Sequence, residues 1–166
     1  PGVDALLKLG AKHRVVVVIH METTAESVPA LERALERNPD TRVIWAHQTH
    51  IKTLDGSTAA HARKADPGQI DALLRRFPNL YADIATGYET IFFEPADGTL
   101  PAAWKALYET HSDRFVVGAD IPFLSKWKEG LYAKRIKVVR AWLAQFSPET
   151  REKIAHGNAE RVLGLR

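Results

Sequence analysis

The sequence predicts an α/β fold built on a parallel sheet, and three observations carry that prediction. Short runs of strand-forming residues alternate with helical periodicities four times along the chain. No hairpin connection joins consecutive strand runs. The first run, Val15 to Ile19, is β-branched at every position, the pattern of a strand buried on both faces, as strands of parallel sheets are.

The elements follow in order. "DALLKLGAKH" reads as a short helix stopping near Gly10, because glycine commonly ends helices. "RVVVVIH" is the first strand and ends on His20. "SVPALERALERNPD" places Val28, Leu31, Ala34 and Leu35 at helical spacing, with Ser27 as N-cap. "RVIWAH" is the second strand and ends on His47. A long polar segment, residues 48 to 68, precedes the helix "QIDALLRRF", and a loop of that length in a small domain is more often functional than idle. A Pro-Asn turn introduces the third strand, "NLYADIA". A second long loop, residues 86 to 99, leads to the helix "AAWKALYETH", where Trp104, Leu107 and Tyr108 share a face. "RFVVGAD" is the fourth strand and ends on Asp120. The remainder is helical: an amphipathic helix over residues 126 to 146, a Ser147-Pro148 start signal, and "NAERVLGL", where Asn158 reads as an N-cap that docks the last helix.

Composition narrows the function. A chain of 166 residues with 45% hydrophobic content supports one core. Its 23 basic and 20 acidic residues are mixed along the sequence, so no nucleic-acid-binding arm is expected. The densest basic stretch holds Lys134, Arg135, Lys137 and Arg140 at the spacing of a solvated helix face. No apolar run reaches the ~20 residues that span a bilayer, and no membrane partner is expected. The absence of cysteine leaves His, Asp and Glu as metal ligands. The chain opens on Pro-Gly-Val, which suggests that sequence is missing upstream and leaves localisation unassigned.

Three of the four strands finish on a titratable, metal-competent side chain: His20, His47 and Asp120. Ligands bind at the carboxyl ends of parallel strands. Alternation along each strand sets Val16, Val18 and His20 on one side, then Val43, Trp45 and His47, then Val116, Gly118 and Asp120, and all three sets are expected to converge. Each residue alone reads more readily as a satisfied polar group at a strand end. Three at the same topological position point to a divalent metal, with zinc, manganese or iron all suited to two imidazoles and a carboxylate.

The segments "VVVVIHMET", "NPDTRVIWAHQ", "FPNLYADIATG", "DRFVVGADIPF" and "IAHGNAERVLGL" together resemble the later half of the metal-dependent amidohydrolase superfamily, in its amidohydrolase-related branch. The resemblance covers residues ~14 to 166 and rests on the joint order and spacing of short motifs. It implies a TIM-like (β/α) barrel of which about four βα units are present, as the C-terminal part of a single domain. It also implies metal ligation by His20, His47 and Asp120, with Asp120 and His47 as the catalytic pair and zinc as the first choice of metal. The family's His-x-His pair, which supplies two further ligands from the first strand, has no counterpart in the sequence, and a full barrel needs ~250 residues.

The expected activity is hydrolysis of a small-molecule amide, lactone or related cyclic acid through a metal-activated water. The same fold also serves non-oxidative decarboxylation, and a non-catalytic barrel fragment is the third reading. His50 and Tyr88, on the long loops, are expected to contact substrate. Lys52, Phe92 and Phe93 stand between pocket and solvent roles, Glu22 is a candidate to orient a histidine ligand, and Asp83 reads as a structural hydrogen-bonding group. His13, His61, His111 and His156 are assigned no chemistry. The 166 residues alone are expected to bind metal weakly, to turn nothing over, and to pair with the missing half or with another copy.

Overall fold

In the computed structural model, which describes residues 2–21, 26–46, 67–85, 99–119, 121, 124, 127 and 130–165, four strands pair in the order in which they occur. They are β1 (Val17–His20), β2 (Val43–Ala46), β3 (Leu80–Ala85) and β4 (Phe115–Gly118), and every pairing is parallel. Parallel neighbours need a crossover. Helix α2 (Ser27–Arg37) lies between β1 and β2, α3 (Pro67–Arg76) between β2 and β3, and α4 (Ala102–Thr110) between β3 and β4. Helix α1 (Gly2–His13) precedes β1. Helices α5 (Leu131–Leu143), α6 (Pro148–Glu152) and α7 (Asn158–Leu163) follow β4, the last two joined by a π-helical turn, Lys153–Gly157.

The two faces of the sheet differ. On one, Val17, Val43, Trp45, Leu80, Ala82 and Phe115 pack under apolar residues of the helices, including Leu7, Leu31, Leu74, Leu107 and Trp142, and form the main core. Tyr108 of α4 fills its centre, edge-on to Phe115 with ring centroids 4.7 Å apart. On the other face, Ile44, Tyr81 and Val116 form a small cluster with Val162 of α7. That second face is the interior side of a β/α barrel, and four strands are half of the eight that close one.

Several local expectations are corrected. Helix α1 runs through Gly10 to His13. A Cβ at residue 10 would stand 2.7 Å from Val17 Cγ2 and 3.1 Å from the Val15 carbonyl, so this glycine lets α1 lie close to β1. The helix stops instead at Arg14, whose φ of 56° lets the Arg14 and Val15 amides turn back to the carbonyls of Ala11 and Gly10. That turn consumes the Val15 amide, so β1 begins only at Val17. Nor is β1 buried on both faces: Val18 is 59% exposed, because β1 is an edge strand and nothing among the described residues covers its interior side. Helix α2 takes Glu26, not Ser27, as its cap residue, and no side chain caps it.

At the other end Ser147 caps α6 as expected, its hydroxyl accepting from the Thr150 amide at 3.2 Å, with Pro148 in the first turn. Asn158 docks α7 but does not cap it. Its buried side-chain amide donates to the carbonyls of Ser112 at 2.7 Å and Phe115 at 2.8 Å, while its oxygen accepts from Arg161. Those carbonyls flank the start of β4, so α7 is held at the amino end of the sheet. Arg161 also donates to the Asp113 carbonyl at 2.6 Å, and Arg42, just before β2, donates to the carbonyl of Arg161.

Candidate functional site

Parallel pairing brings the carboxyl ends of all four strands to one edge. His20 ends β1 there, and the chain leaves β2 at Ala46 and β4 at Gly118 along the same edge. The imidazole of His20 is exposed and shares the interior face with Val18. His47 and Asp120, the next candidates in sequence, lie outside the described residues, as do His50, Tyr88, Glu22, Lys52, Phe92, Phe93 and His61. Both long loops fall there too, except Pro67 and Gly68, which open α3, and Thr99.

The alternation argument needs a correction at β2. His20 pairs with Ala46, and Ile19 with Trp45. Val43 and Trp45 therefore face the helices, where both are almost fully buried, while Val16 and Val18 face the interior. Alternation groups the residues of one strand correctly, but both faces of β2 are apolar, so it does not say which group looks inward.

The same register brings forward a residue that the sequence left as structural. One step beyond the Trp45–Ala82 pair, Asp83 stands level with Ala46 and so with His20, and it pairs with Val116 on the other side. His20 and Asp83 thus occupy one row of the interior face, two strand spacings or roughly 10 Å apart. The signal was present in the shared parity of Tyr81 and Asp83, but only pairing shows that this parity faces inward. Tyr81 lies below Asp83 toward the amino end, with the guanidinium groups of Arg114 and Arg161 within 6 Å of its ring (5.5 Å and 5.7 Å).

Main-chain carbonyls next to the strand-end candidates are held by side chains. The indole N–H of Trp45 donates to the Met21 carbonyl at 3.4 Å, one residue past His20. Arg135 of α5 donates to the Ala119 carbonyl at 2.6 Å, one residue before Asp120. The indole N–H of Trp127 donates to the Ile121 carbonyl at 3.2 Å, one residue after it. Arg135 therefore departs from the solvated face on which Lys134, Lys137 and Arg140 do lie exposed.

The remaining histidines keep away from this edge. His13 is exposed just before β1. His111 closes α4 and contacts Asp71 of α3 at 2.7 Å, tying the two helices together. Hydrogen bonds from Arg75 and then His111 hold the Asp71 carboxyl below its ordinary value. His156 faces Glu160 at 3.4 Å on the helical surface.

Among the described residues no three His, Asp or Glu side chains gather into a ready metal site. The donor chemistry nonetheless suits one. His20, His47 and Asp120 offer two imidazole nitrogens and a carboxylate, a set matched to zinc, manganese or iron, and the one of them described presents its ring on the open interior face.

Comparison with known proteins gives a consistent result. A family model described as "Amidohydrolase" matches residues 2–165. Among solved structures, an amidohydrolase 2 from Bifidobacterium longum subsp. infantis superposes with a TM-score of 0.57 at 16% identity, covering 97% of this chain and 54% of that one. An amidohydrolase from Burkholderia multivorans with bound zinc gives 0.56 at 16% identity, covering 98% and 56%, and the same protein with bound HEPES gives the same values. The chain spans about half the length of these structures. No curated protein matches it.

Proposed function

The chain belongs to the amidohydrolase family, and on that premise we propose that the carboxyl ends of β1, β2 and β4 build part of a metal-dependent hydrolase site acting on a small amide, lactone or related cyclic acid. One observation supports the reading: parallel pairing brings the carboxyl ends of β1, β2 and β4 to a single edge, and in sequence His20 ends the first of these strands while His47 and Asp120 follow shortly after the other two. The zinc held by the Burkholderia multivorans amidohydrolase supports zinc as the first metal to test.

When bound, such an ion supplies Lewis acidity and makes a water available as a nucleophile near neutral pH. The residues of the chain do the rest. His20 and His47 offer imidazole nitrogens for ligation. Asp120, besides ligating, accepts the proton that the attacking water loses. In place of ligation, His47 could instead donate toward the oxyanion that develops on the substrate carbonyl. His50 and Tyr88 are assigned to substrate contact. The open interior face beside His20 requires further strands before these groups are held to catalytic tolerance, so the proposal includes pairing of the free sheet edges, either with four more βα units or with a second copy.

The test is metal uptake and turnover on a panel of lactones and amides, with released carbon dioxide measured in parallel on aromatic carboxylic acids. The 166-residue chain alone is expected to bind metal weakly and turn nothing over. An assembly with a closed barrel is expected to hydrolyse, and to lose about 10³-fold or more of kcat on Asp120→Asn, the scale on which loss of a base from an interdependent site reads. Undiminished turnover in that variant would remove Asp120 from the mechanism, and carbon dioxide release without hydrolysis would replace hydrolase by decarboxylase.

A further inference from the structure

We propose that His20 and Asp83 together form a divalent-cation site on the interior face of the sheet, with Asp83, a residue the sequence reads as structural, as the second ligand. This rests on the metal role proposed above for His20, and it draws only on side chains of β1 and β3.

Both side chains face the same way. Leu80, Ala82 and Ile84 of β3 all belong to the main core under the helices, so alternation turns Tyr81 and Asp83 to the interior. Tyr81 packs there with Ile44, Val116 and Val162. On β1, Val17 and Ile19 pack with the main core, while Val18 and His20 are exposed on the interior side. The register then aligns the two: His20 pairs with Ala46, and Asp83, one step past the Trp45–Ala82 pair, stands on the far side of Ala46.

Side-chain size decides where on this face an ion fits. The row nearer the amino end, Val18, Ile44 and Tyr81, is bulky, and Val162 of α7 clusters with Ile44 and Tyr81. In the next row the residue between His20 and Asp83 is Ala46, whose side chain ends at Cβ, and Gly118, one row further on β4, has no side chain. The line between the imidazole and the carboxylate is thus clear of large strand side chains.

The separation lets one ion serve both groups. Their Cα atoms are two strand spacings, roughly 10 Å, apart. Side chains on the inner face of a barrel converge toward its axis, which shortens the gap between their tips. A bound ion spans about 2.0–2.2 Å more on each side, the length of its bonds to an imidazole nitrogen and a carboxylate oxygen. An imidazole beside a carboxylate suits a borderline cation such as zinc. Asp83 is half-buried, so its charge is less screened than that of a surface carboxylate. Two protein ligands leave the other coordination positions to water or to further groups of the site, and binding is accordingly weak. The gain for the chemistry proposed above is a second carboxylate, so that ligation and proton acceptance fall on different groups.

Calorimetric titration of the 166-residue chain with zinc chloride tests this, with thermal unfolding of every variant run with and without zinc. His20→Gln removes the ring nitrogens and Asp83→Asn removes the charge at constant shape. Each is expected to weaken zinc binding at least about tenfold, within the range of coupling between groups that share a partner. Each is also expected to lose the rise in unfolding temperature that zinc gives the unaltered chain. The double variant is expected to bind no more weakly than the weaker single one, because the ion is shared. Asp83→Ser repeats the removal of charge with a smaller side chain, so that a packing fault in the asparagine variant does not decide the result.

Unchanged zinc affinity in both Asp83 variants, alongside loss in His20→Gln, would overturn the inference and leave the metal role of His20 standing. Losses that simply add in the double variant would do the same, since two separate ions would then be bound. A lower unfolding temperature in Asp83→Asn with zinc affinity unmoved would mark a structural role and also defeat the inference. Unchanged affinity in His20→Gln, or no zinc uptake by the unaltered chain, would overturn the proposed metal role itself and the inference with it.

Discussion

At the scale of single residues, the most constrained positions are those where one atom more or less has no room to be absorbed. Gly10 is such a position. Alanine there would gain up to about 1 kcal/mol of helix propensity. Its Cβ, however, would meet Val17 Cγ2 at 2.7 Å, the Val15 carbonyl at 3.1 Å and Thr41 Cγ2 at 3.2 Å, a β-branched side chain, a turn and a buried threonine with little freedom to move. Overpacking of this kind costs about 1–3 kcal/mol, so Gly10→Ala is expected to lower the urea midpoint, a result opposite to the propensity scale. Asn158 is the second. Removing its amide leaves the Ser112 and Phe115 carbonyls without that donor, and Asn158→Ala is expected to cost roughly 2–4 kcal/mol in urea unfolding. Asn158→Asp should cost more at pH 7, since it turns a carboxylate oxygen toward two carbonyls. If the aspartate variant proved the milder, the docking role assigned to those two bonds would be wrong.

At the scale of elements, helices are tied to one another by carboxylates that collect several donors. Glu109 of α4 accepts from the Ser147 amide at 3.0 Å and from the Thr150 hydroxyl at 2.5 Å, joining α4 to the start of α6. Burial raises the pKa of this carboxyl, but the hydrogen bonds from Thr150 and Ser147 outweigh it, and the net direction is downward. A carboxyl depressed in the folded state stabilises fully above its ordinary value, which is about 4.3 for glutamate, and loses that contribution as pH falls through the folded value. Glu109→Gln is therefore expected to be clearly less stable than the parent at pH 7, with the gap closing below about pH 4. Urea unfolding at both pH values measures it, and a gap that does not shrink in acid would assign the effect to shape and not to charge. The surface pairs, such as Arg76 with Glu32 and Glu36, and Arg37 with Asp4, link neighbouring helices, but in water each contributes little.

At the scale of the whole molecule, the four-stranded sheet has two free edges among the described residues, at β1 and β4. Val18, on the open interior side of β1, is 59% exposed. An apolar groove of about 370 Å³, lined by residues including Val3, Ile19, Met21 and Leu31, runs beside the same edge. Exposed strand edges of this kind pair with other chains. Sedimentation velocity is expected to show concentration-dependent association of the 166-residue chain, and Val18→Lys to shift it toward monomer with a stability change within about 0.5 kcal/mol. A parent chain that stays monomeric at high concentration would show that the edge is not available for pairing.

The order of elements, the parallel sheet and the single edge at which all four strands end were legible in the sequence by itself, because they rest on local signals. β-branched runs form strands, 3.6-residue periodicity forms helices, and alternation of the two forces parallel pairing, which sends every strand end to one side. What the tertiary structure alone decided were relations between segments far apart in the chain. Whether Val43 and Trp45 look inward or toward the helices depends on which face the helices cover, and a strand apolar on both sides carries no mark of it. That Gly10 serves close packing and does not stop the helix depends on Val17 and Thr41, and that Asn158 docks α7 depends on two carbonyls more than forty residues away. Asp83 facing the interior level with His20, and Arg135 leaving its helical surface to hold a strand exit, belong to the same class. Local sequence encodes what a segment is. Which partners its side chains meet is set only when register and packing bring distant segments to within a few ångströms.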